Sequence, residues 1–300
     1  MSMGSISPDA EGAAPEVYDG RPLAAALYLI ATPIGAARDI TLHALDLLRA
    51  ADVLLAEDTR SLRHLMEIHG VALRGRTVLA CHDHNESGLL PRVLGFLRAG
   101  QSVVYASEAG TPLVSDPGFD LARGVIGAGL QVISAPGPSA VLCALTVAGL
   151  PSDRFMFAGF PPAQGSARIR FLQELAPVPA TLILYESPRR IHQSLADCVT
   201  ALGGTRQAAL CRELTKRHEE VIRGTLAEIS ASIEDRELKG EIALVIDRAT
   251  KEAASETDVT AALERALETM RVKDAANMVA EAFDLPRRDV YQMALGLAKK

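Results

Sequence analysis

The chain has 300 residues, 48% of them apolar and 23% charged, which suits about two globular domains with buried cores. Its 31 basic and 37 acidic groups leave a net charge of -6, excluding a wholly basic coat, so any contact with an anionic polymer must rest on local patches. Aromatics make up 4% and Trp is missing, which argues against an RRM-like or OB-like surface that grips unpaired bases by stacking.

Residues 1–22 have neither a basic start nor an apolar middle and read as a disordered tail, not a signal peptide. The longest apolar stretch, Leu23 to Ala31, falls far short of the roughly 20 residues of a membrane helix. A cytoplasmic protein that avoids membranes is expected. Cys81, Cys143, Cys198 and Cys211 lie far apart without metal-ligand spacing and read as reduced filler.

Across 23–150, the runs LYLIAT (27–32), VLLA (53–56), TVLA (77–80), SVVYA (102–106) and QVIS (131–134) alternate with segments of helical period. That rhythm belongs to βα units and a parallel sheet, and the lack of polar alternation predicts helices on both faces. Pro and Gly crowd LPSDRFMFAGFPP, which places a domain boundary near 150. Residues 151–250 then read as a second α/β domain, with strands RFMFAG, TLILYE (181–186), AALCRE (208–213) and EIALVID (241–247) and helices near 188–202 and 225–234. In 251–300, Val272, Ala275, Ala276, Val279, Ala280 and Phe283 form one helical stripe. Val290, Met293, Ala294 and Leu297 form another beyond a break at Asp284 to Pro286, a helix-turn-helix-like pattern.

Three loops at strand ends could make a ligand site on one edge of a parallel sheet: ATPIG (31–35), SEAGTPLVSDPG (107–118) and APGPSA (135–140). Gly and Pro there allow close backbone approach, while Thr32, Thr111 and Ser139 can present hydroxyls or cap helices. Neither G-x-G-x-x-G nor a P-loop nor G-x-S-x-G occurs, so dinucleotide, P-loop and hydrolase readings drop. AEDTR (56–60) brings Glu57, Asp58 and Arg60 to the same edge, as a general base or as an ion pair capping the next helix. His82, Asp83 and His84 give no closed metal set, and substrate contact or helix capping by Asn85 is favoured over metal. YESPRR (185–190), CRELTKRHEE (211–220) and KGE (239–241) supply a local positive field through Arg189, Arg190, Arg212, Lys216, Arg217 and Lys239.

Together, ATPIG, AEDTR, HDHNE, SEAGTPLVSDPG, APGPSA, AGLPSDRF, YESPRR, RELTKRHEE and KGE, in order from Leu27 to Asp247, resemble the ribosomal small-subunit RNA methyltransferase I family. This is the RNA-modifying branch of the tetrapyrrole methylase superfamily, and VKDAANMVAEAFDLPRRDVYQMAL is similar to its helix-turn-helix end. The resemblance implies two α/β domains of the tetrapyrrole-methylase type around a cleft for S-adenosylmethionine, with a helix-turn-helix-like tail. It also implies a homodimer that methylates a cytidine 2'-hydroxyl in the decoding region of 16S rRNA, as free 16S rRNA or in the small ribosomal subunit. No metal is expected.

Carried over by motif, Pro33 and Gly35, then Ala109, Gly110, Thr111, Pro112 and Asp116, then Pro136, Gly137, Ser139 and Ala140 would hold the cofactor. Two departures are Ala36, where Asn is common, and Glu108, where Asp is common. The reaction needs the hydroxyl held in line with an activated methyl and its proton removed. Asp58, Glu186, Glu213, Lys216 and Lys239 are the candidates for that chemistry, and Arg60, Arg189, Arg212, Arg287 and Arg288 for RNA contact. The rival readings are a tetrapyrrole C-methylase on the same scaffold and a non-catalytic RNA-binding assembly protein.

Overall fold

The structure is a computed structural model and describes residues 22–82, 84–249, 256–283 and 285–298. The expected disordered tail, except Pro22, lies outside these residues, as do Asp83 and Asp284. The chain divides into two compact units, with the main division between Asp247 and Arg248.

The first unit opens with five short strands, β1 (Leu27–Ile30), β2 (Val53–Ala56), β3 (Thr77–Ala80), β4 (Val103–Ala106) and β5 (Val132–Ala135). They pair in parallel in the order β3-β2-β4-β1-β5. Helices α1 (Leu42–Ala50), α2 (Thr59–Ile68), α3 (Glu86–Arg98), α4 (Phe119–Gly127) and α5 (Ala140–Ala148) follow these strands in turn. Tyr28, Ile30, Leu54, Ala56, Val104 and Ala106 point to a core filled by α1 and α2. Their neighbours Leu27, Leu29, Val53, Leu55, Val103 and Tyr105 point to the opposite core, filled by α3 and α4. Burial of both faces explains the missing polar alternation. It also decides the conformation, because a buried Leu or Val gains about 1.5–3 kcal/mol, more than the helix propensity of Leu and Ala, which differs by under about 0.7 kcal/mol from that of other ordinary residues. The strand order sets β4, β1 and β5 side by side, so their three carboxyl-end loops converge although they lie far apart along the chain.

The second sheet contains β6 (Phe155–Gly159), β7 (Thr181–Glu186), β8 (Gln207–Arg212), β9 (Glu220–Thr225) and β10 (Ile242–Ile246), in the order β6-β7-β10-β8-β9. Only the β6–β7 pairing is parallel. Helices α6 (Gly165–Leu175), α7 (Ile191–Leu202) and α8 (Leu226–Ser232) belong to this half. The expected strand over 208–213 ends at Arg212, because Glu213 turns into the left-handed region at φ 52°. Neither β9 nor α6 is among the elements read from the sequence. Helix α5 does not cover the first sheet. Its Val141, Ala144, Leu145 and Ala148 share a core with Ile183, Ala209, Cys211, Ala243 and Val245 of the second, joined by Ile34 and Leu214. One helix and one loop residue from the first half thus complete the core of the second.

The second unit is built from α9 (Glu256–Leu267), α10 (Val272–Phe283) and α11 (Arg287–Leu297). The two stripes read from the sequence lie on α10 and α11, and Val259, Leu263 and Ala266 of α9 join them in one core. The tail is therefore a three-helix unit, one helix more than the two-stripe pattern showed.

Candidate functional site

The loop after β1 and the loop after β4 exchange backbone hydrogen bonds: Thr32 N–H donates to Gly110 O (2.9 Å) and Gly110 N–H to Thr32 O (3.0 Å). Three hydroxyls strengthen this knot. Thr32 Oγ1 donates to Ser107 O (3.1 Å), Ser107 Oγ to Gly110 O (2.6 Å), and Thr111 Oγ1 to Pro138 O (2.9 Å). Thr32 and Thr111 therefore spend their donors on the scaffold, whereas Ser139, at the start of α5, makes no side-chain cap. Gly110 has φ 85°, and a Cβ there would meet Ile34 at 3.3 Å, so the knot requires glycine. Leu113 and Ser115 in the same loop also have positive φ, at 71° and 61°, a backbone strain that surrounding contacts must hold.

The far end of the loop is anchored from behind. Buried Glu86 accepts the N–H groups of Gly118 and Leu121 at the start of α4, and Tyr105 Oη donates to Pro117 O (3.0 Å). Asn85, expected to cap a helix, instead accepts His82 N–H (2.9 Å) and donates to Ala80 O (3.0 Å), closing the turn after β3. No group of three or more His, Cys, Asp or Glu side chains suited to a metal occurs among the described residues.

Between the two sheets lies a cleft of about 390 Å³. Of the expected site residues, Ala109, Gly110, Thr111, Asp116, Ser139, Ala140 and Glu186 line it. Pro33, Gly35, Pro112, Pro136 and Gly137 are not among the residues that line it. A Cβ on Gly35 would lie 2.5 Å from Lys216 Cγ and 2.6 Å from Thr215 Oγ1, while one on Gly137 would lie 2.9 Å from Ala31 Cβ. These glycines permit close packing of the scaffold. Ala36 keeps its part of this contact through the backbone, its N–H donating to Thr215 Oγ1 (3.1 Å). The wall also includes Phe160, Tyr185 and the carboxylates Glu57, Glu108 and Glu241. With Asp116 and Glu186, every charged side chain on the described wall is an acid. Burial pushes the Tyr185 hydroxyl up to about 12, which keeps it neutral.

Several expected catalytic groups do structural work. Asp58 is turned off the wall to cap α2, accepting Arg60 N–H (2.7 Å) and Arg60 Nη2 (3.0 Å). Hydrogen bonds from the Arg60 side chain hold its carboxyl below the usual range, a poor setting for a proton acceptor. Its neighbour Glu57 occupies the wall position. Buried Glu186 accepts Ser187 N–H (2.8 Å), Arg190 Nη2 (3.1 Å) and the Ser194 hydroxyl.

Lys216 Nζ bridges Glu213 Oε1 (2.9 Å) and Glu241 Oε2 (2.8 Å). Burial works to lower the Lys216 pKa, but hydrogen bonds to Glu241 and Glu213 outweigh it and raise the value. The ammonium form is thereby favoured, opposite to the lowered pKa a lysine base needs. Glu213 is held low, chiefly by the Lys216 hydrogen bond, and also accepts Glu241 N–H (3.0 Å). Its carboxyl lies against Gly240, where a Cβ would collide with it. Lys239 is exposed, and its carbonyl accepts from Arg212 Nη1 (3.1 Å). Arg212 also pairs with Glu220 (3.1 Å), bracing β8 against β9. Arg60 and Arg189 are exposed, as are Arg287 and Arg288 at the start of α11.

The two sheets and the cleft between them define a methylase of the tetrapyrrole class: the family of tetrapyrrole (corrin/porphyrin) methylases matches residues 26–230. A second match, to the RsmI C-terminal HTH domain, spans 253–298. With 45% identity over 278 residues to the ribosomal RNA small subunit methyltransferase I of Mesorhizobium japonicum, covering 92% of this chain and 94% of that one, the chain belongs to the ribosomal RNA small subunit methyltransferase I family. The Escherichia coli O157:H7 protein of the same name is 40% identical over 275 residues, covering 90% of this chain and 94% of its own. Among solved structures, uroporphyrin-III C-methyltransferase from Thermus thermophilus, complexed with S-adenosyl homocysteine, shares the fold at a TM-score of 0.52. It is 19% identical and covers 75% of this chain and 98% of that one.

Proposed function

We propose that this chain transfers a methyl group from S-adenosylmethionine to the 2'-hydroxyl of a decoding-region cytidine in 16S rRNA, acting on the small ribosomal subunit as a cytoplasmic homodimer. The observation that carries this reading is 40–45% identity over about nine-tenths of the chain to small-subunit methyltransferases I, joined to a cleft whose size and wall suit the cofactor. About 390 Å³ lies within the usual range for a small-molecule site, and a wall whose charged residues are all acids, with Glu186 and Glu241 paired to Arg190 and Lys216, favours a sulfonium cation over an anionic ligand. Ala109, Gly110, Thr111, Asp116, Ser139 and Ala140 would hold the cofactor, with Pro33, Gly35, Pro112, Pro136 and Gly137 fixing the loops behind them.

When bound, S-adenosylmethionine supplies an already activated methyl group. What remains for the protein is orientation and exclusion of water, tasks suited to rigid loops that contribute through positioning. Glu186, buried and fixed by three donors, holds the turn after β7 in place beside the wall. Lys216 holds Glu241 in place as an ammonium. Removal of the ribose proton falls to a wall carboxylate, and Glu108 stands exposed there without capping a helix. Arg60 and Arg189 present exposed cations beside the cleft, while Arg287 and Arg288 present them on the tail unit, each suited to phosphate.

Mass mapping of small-subunit rRNA from cells with and without the gene tests the reading, the expected result being loss of one cytidine 2'-O-methyl group. Purified protein with labelled S-adenosylmethionine is expected to label small subunits and not uroporphyrinogen. Label in the tetrapyrrole alone overturns the RNA assignment, and failure to bind the cofactor overturns the enzyme.

A further inference from the structure

Phe160 lines the cleft, and 55% of its surface is exposed. The ring packs edge-on against Tyr185 (centroids 5.5 Å apart), which in turn packs on Phe157 (4.8 Å). The loop that carries it is fixed by two arginines. Arg190 donates to Pro161 O and Pro162 O. Arg168, only 2% exposed and paired with Asp197 at 2.6 Å, donates to Pro162 O (3.3 Å) and Ala163 O (3.2 Å). A flexible loop would fold its apolar ring away from water, whereas this one is held so that the ring stays out. Arg190 also links the loop to the 186–190 turn, on which exposed Arg189 stands next to wall residue Pro188.

We propose that Phe160 is a stacking platform for a nucleobase, namely the base of the nucleotide whose ribose is methylated, with Arg189 facing its phosphate. The inference rests on the methyl-transfer reading above. A ribose brought to a cleft between two sheets must leave its helical stack, and proteins that read splayed nucleotides give the base an aromatic face. A cofactor adenine has the same flat face, but the exposure of Phe160 favours the ligand that arrives from outside.

Phe160→Ala is expected to lower kcat/KM for small ribosomal subunits by about tenfold to a hundredfold, the range of one lost base–aromatic stack, with the S-adenosylmethionine Kd unchanged. Phe160→Tyr keeps the ring and is expected to keep activity. Phe160→Trp introduces the only tryptophan of the chain, and its emission is expected to ignore titration with S-adenosylmethionine. Undiminished kcat/KM in Phe160→Ala, or equal losses in the Ala and Tyr variants, overturns the platform while leaving the methyltransferase intact. Quenching of the introduced indole by the cofactor, with a weakened Kd in Phe160→Ala, overturns the platform by assigning the ring to adenine instead. A wild-type chain that binds the cofactor but methylates no subunit overturns the reading of function and this inference together.

Discussion

Glu57 and Asp58 are adjacent carboxylates set to different tasks by the parity of a strand end. Side chains alternate in direction there, so one turns to the cleft and the other to the first turn of α2. The sequence AEDTR shows both acids but not the parity, so the general-base and ion-pair readings of Asp58 could not be separated until the register was known. Asp58→Asn is expected to keep a near-normal single-turnover rate on small subunits with a lower thermal midpoint, whereas Glu57→Gln is expected to slow turnover at least tenfold. The opposite ranking in single-turnover assays would reassign the wall. Glu213 makes a pH prediction. Its folded pKa lies below the ordinary 4.5, so its ion pair stabilises the fold fully above pH 4.5 and loses that contribution as pH falls through the depressed value. In urea titrations from pH 7 to 3, the stability gap between wild type and Glu213→Gln is therefore expected to close on the acid side.

Strands were legible where apolar residues run together and obscure where charged residues interrupt them. The runs containing β1, β2 and β4 are apolar because helices cover both faces. By contrast, β9 is an edge strand whose residues are all part-exposed or exposed, with Glu220 and Arg223 among them, so EVIRGT looks like a charged loop. The cleft loops stood out through Gly and Pro, but their anchor did not. Glu86 belongs to a different motif and reaches the loop only through the β3–α3 turn. Removing a charged acceptor that serves two buried N–H groups is expected to destabilise the fold by about 1–3 kcal/mol, so Glu86→Ala should melt earlier and bind S-adenosylmethionine less tightly, as calorimetry would show. In the tail unit, Arg287→Glu combined with Arg288→Glu is expected to weaken small-subunit binding and flatten its dependence on salt, because phosphate contacts release counterions. Binding isotherms at several salt concentrations with an unchanged slope would leave α11 a packing element.

Over the whole molecule, charge is distributed by task. The net charge is -6 and the cleft wall carries acids, so cations that meet RNA are confined to side chains outside it. The same wall predicts that S-adenosylmethionine binds severalfold more tightly than neutral-sulfur S-adenosyl homocysteine, with the ratio shrinking as salt rises. Equal affinities at low salt would show that the wall carboxylates are fully compensated.

The central place of β10 matters before the protein is complete. Synthesis delivers the amino terminus first, so the five strands of the first sheet are present once Ala135 has emerged, but the second sheet lacks its middle strand until Ile242–Ile246. Through that interval α5 and Ile34 have no finished partner for their apolar surfaces. At about 5–20 residues per second, the wait lasts on the order of 10 s, time enough for chaperones to engage the nascent chain. A chain released before Ile246 therefore leaves the ribosome as a client for proteolysis, and not as a smaller, partly active enzyme.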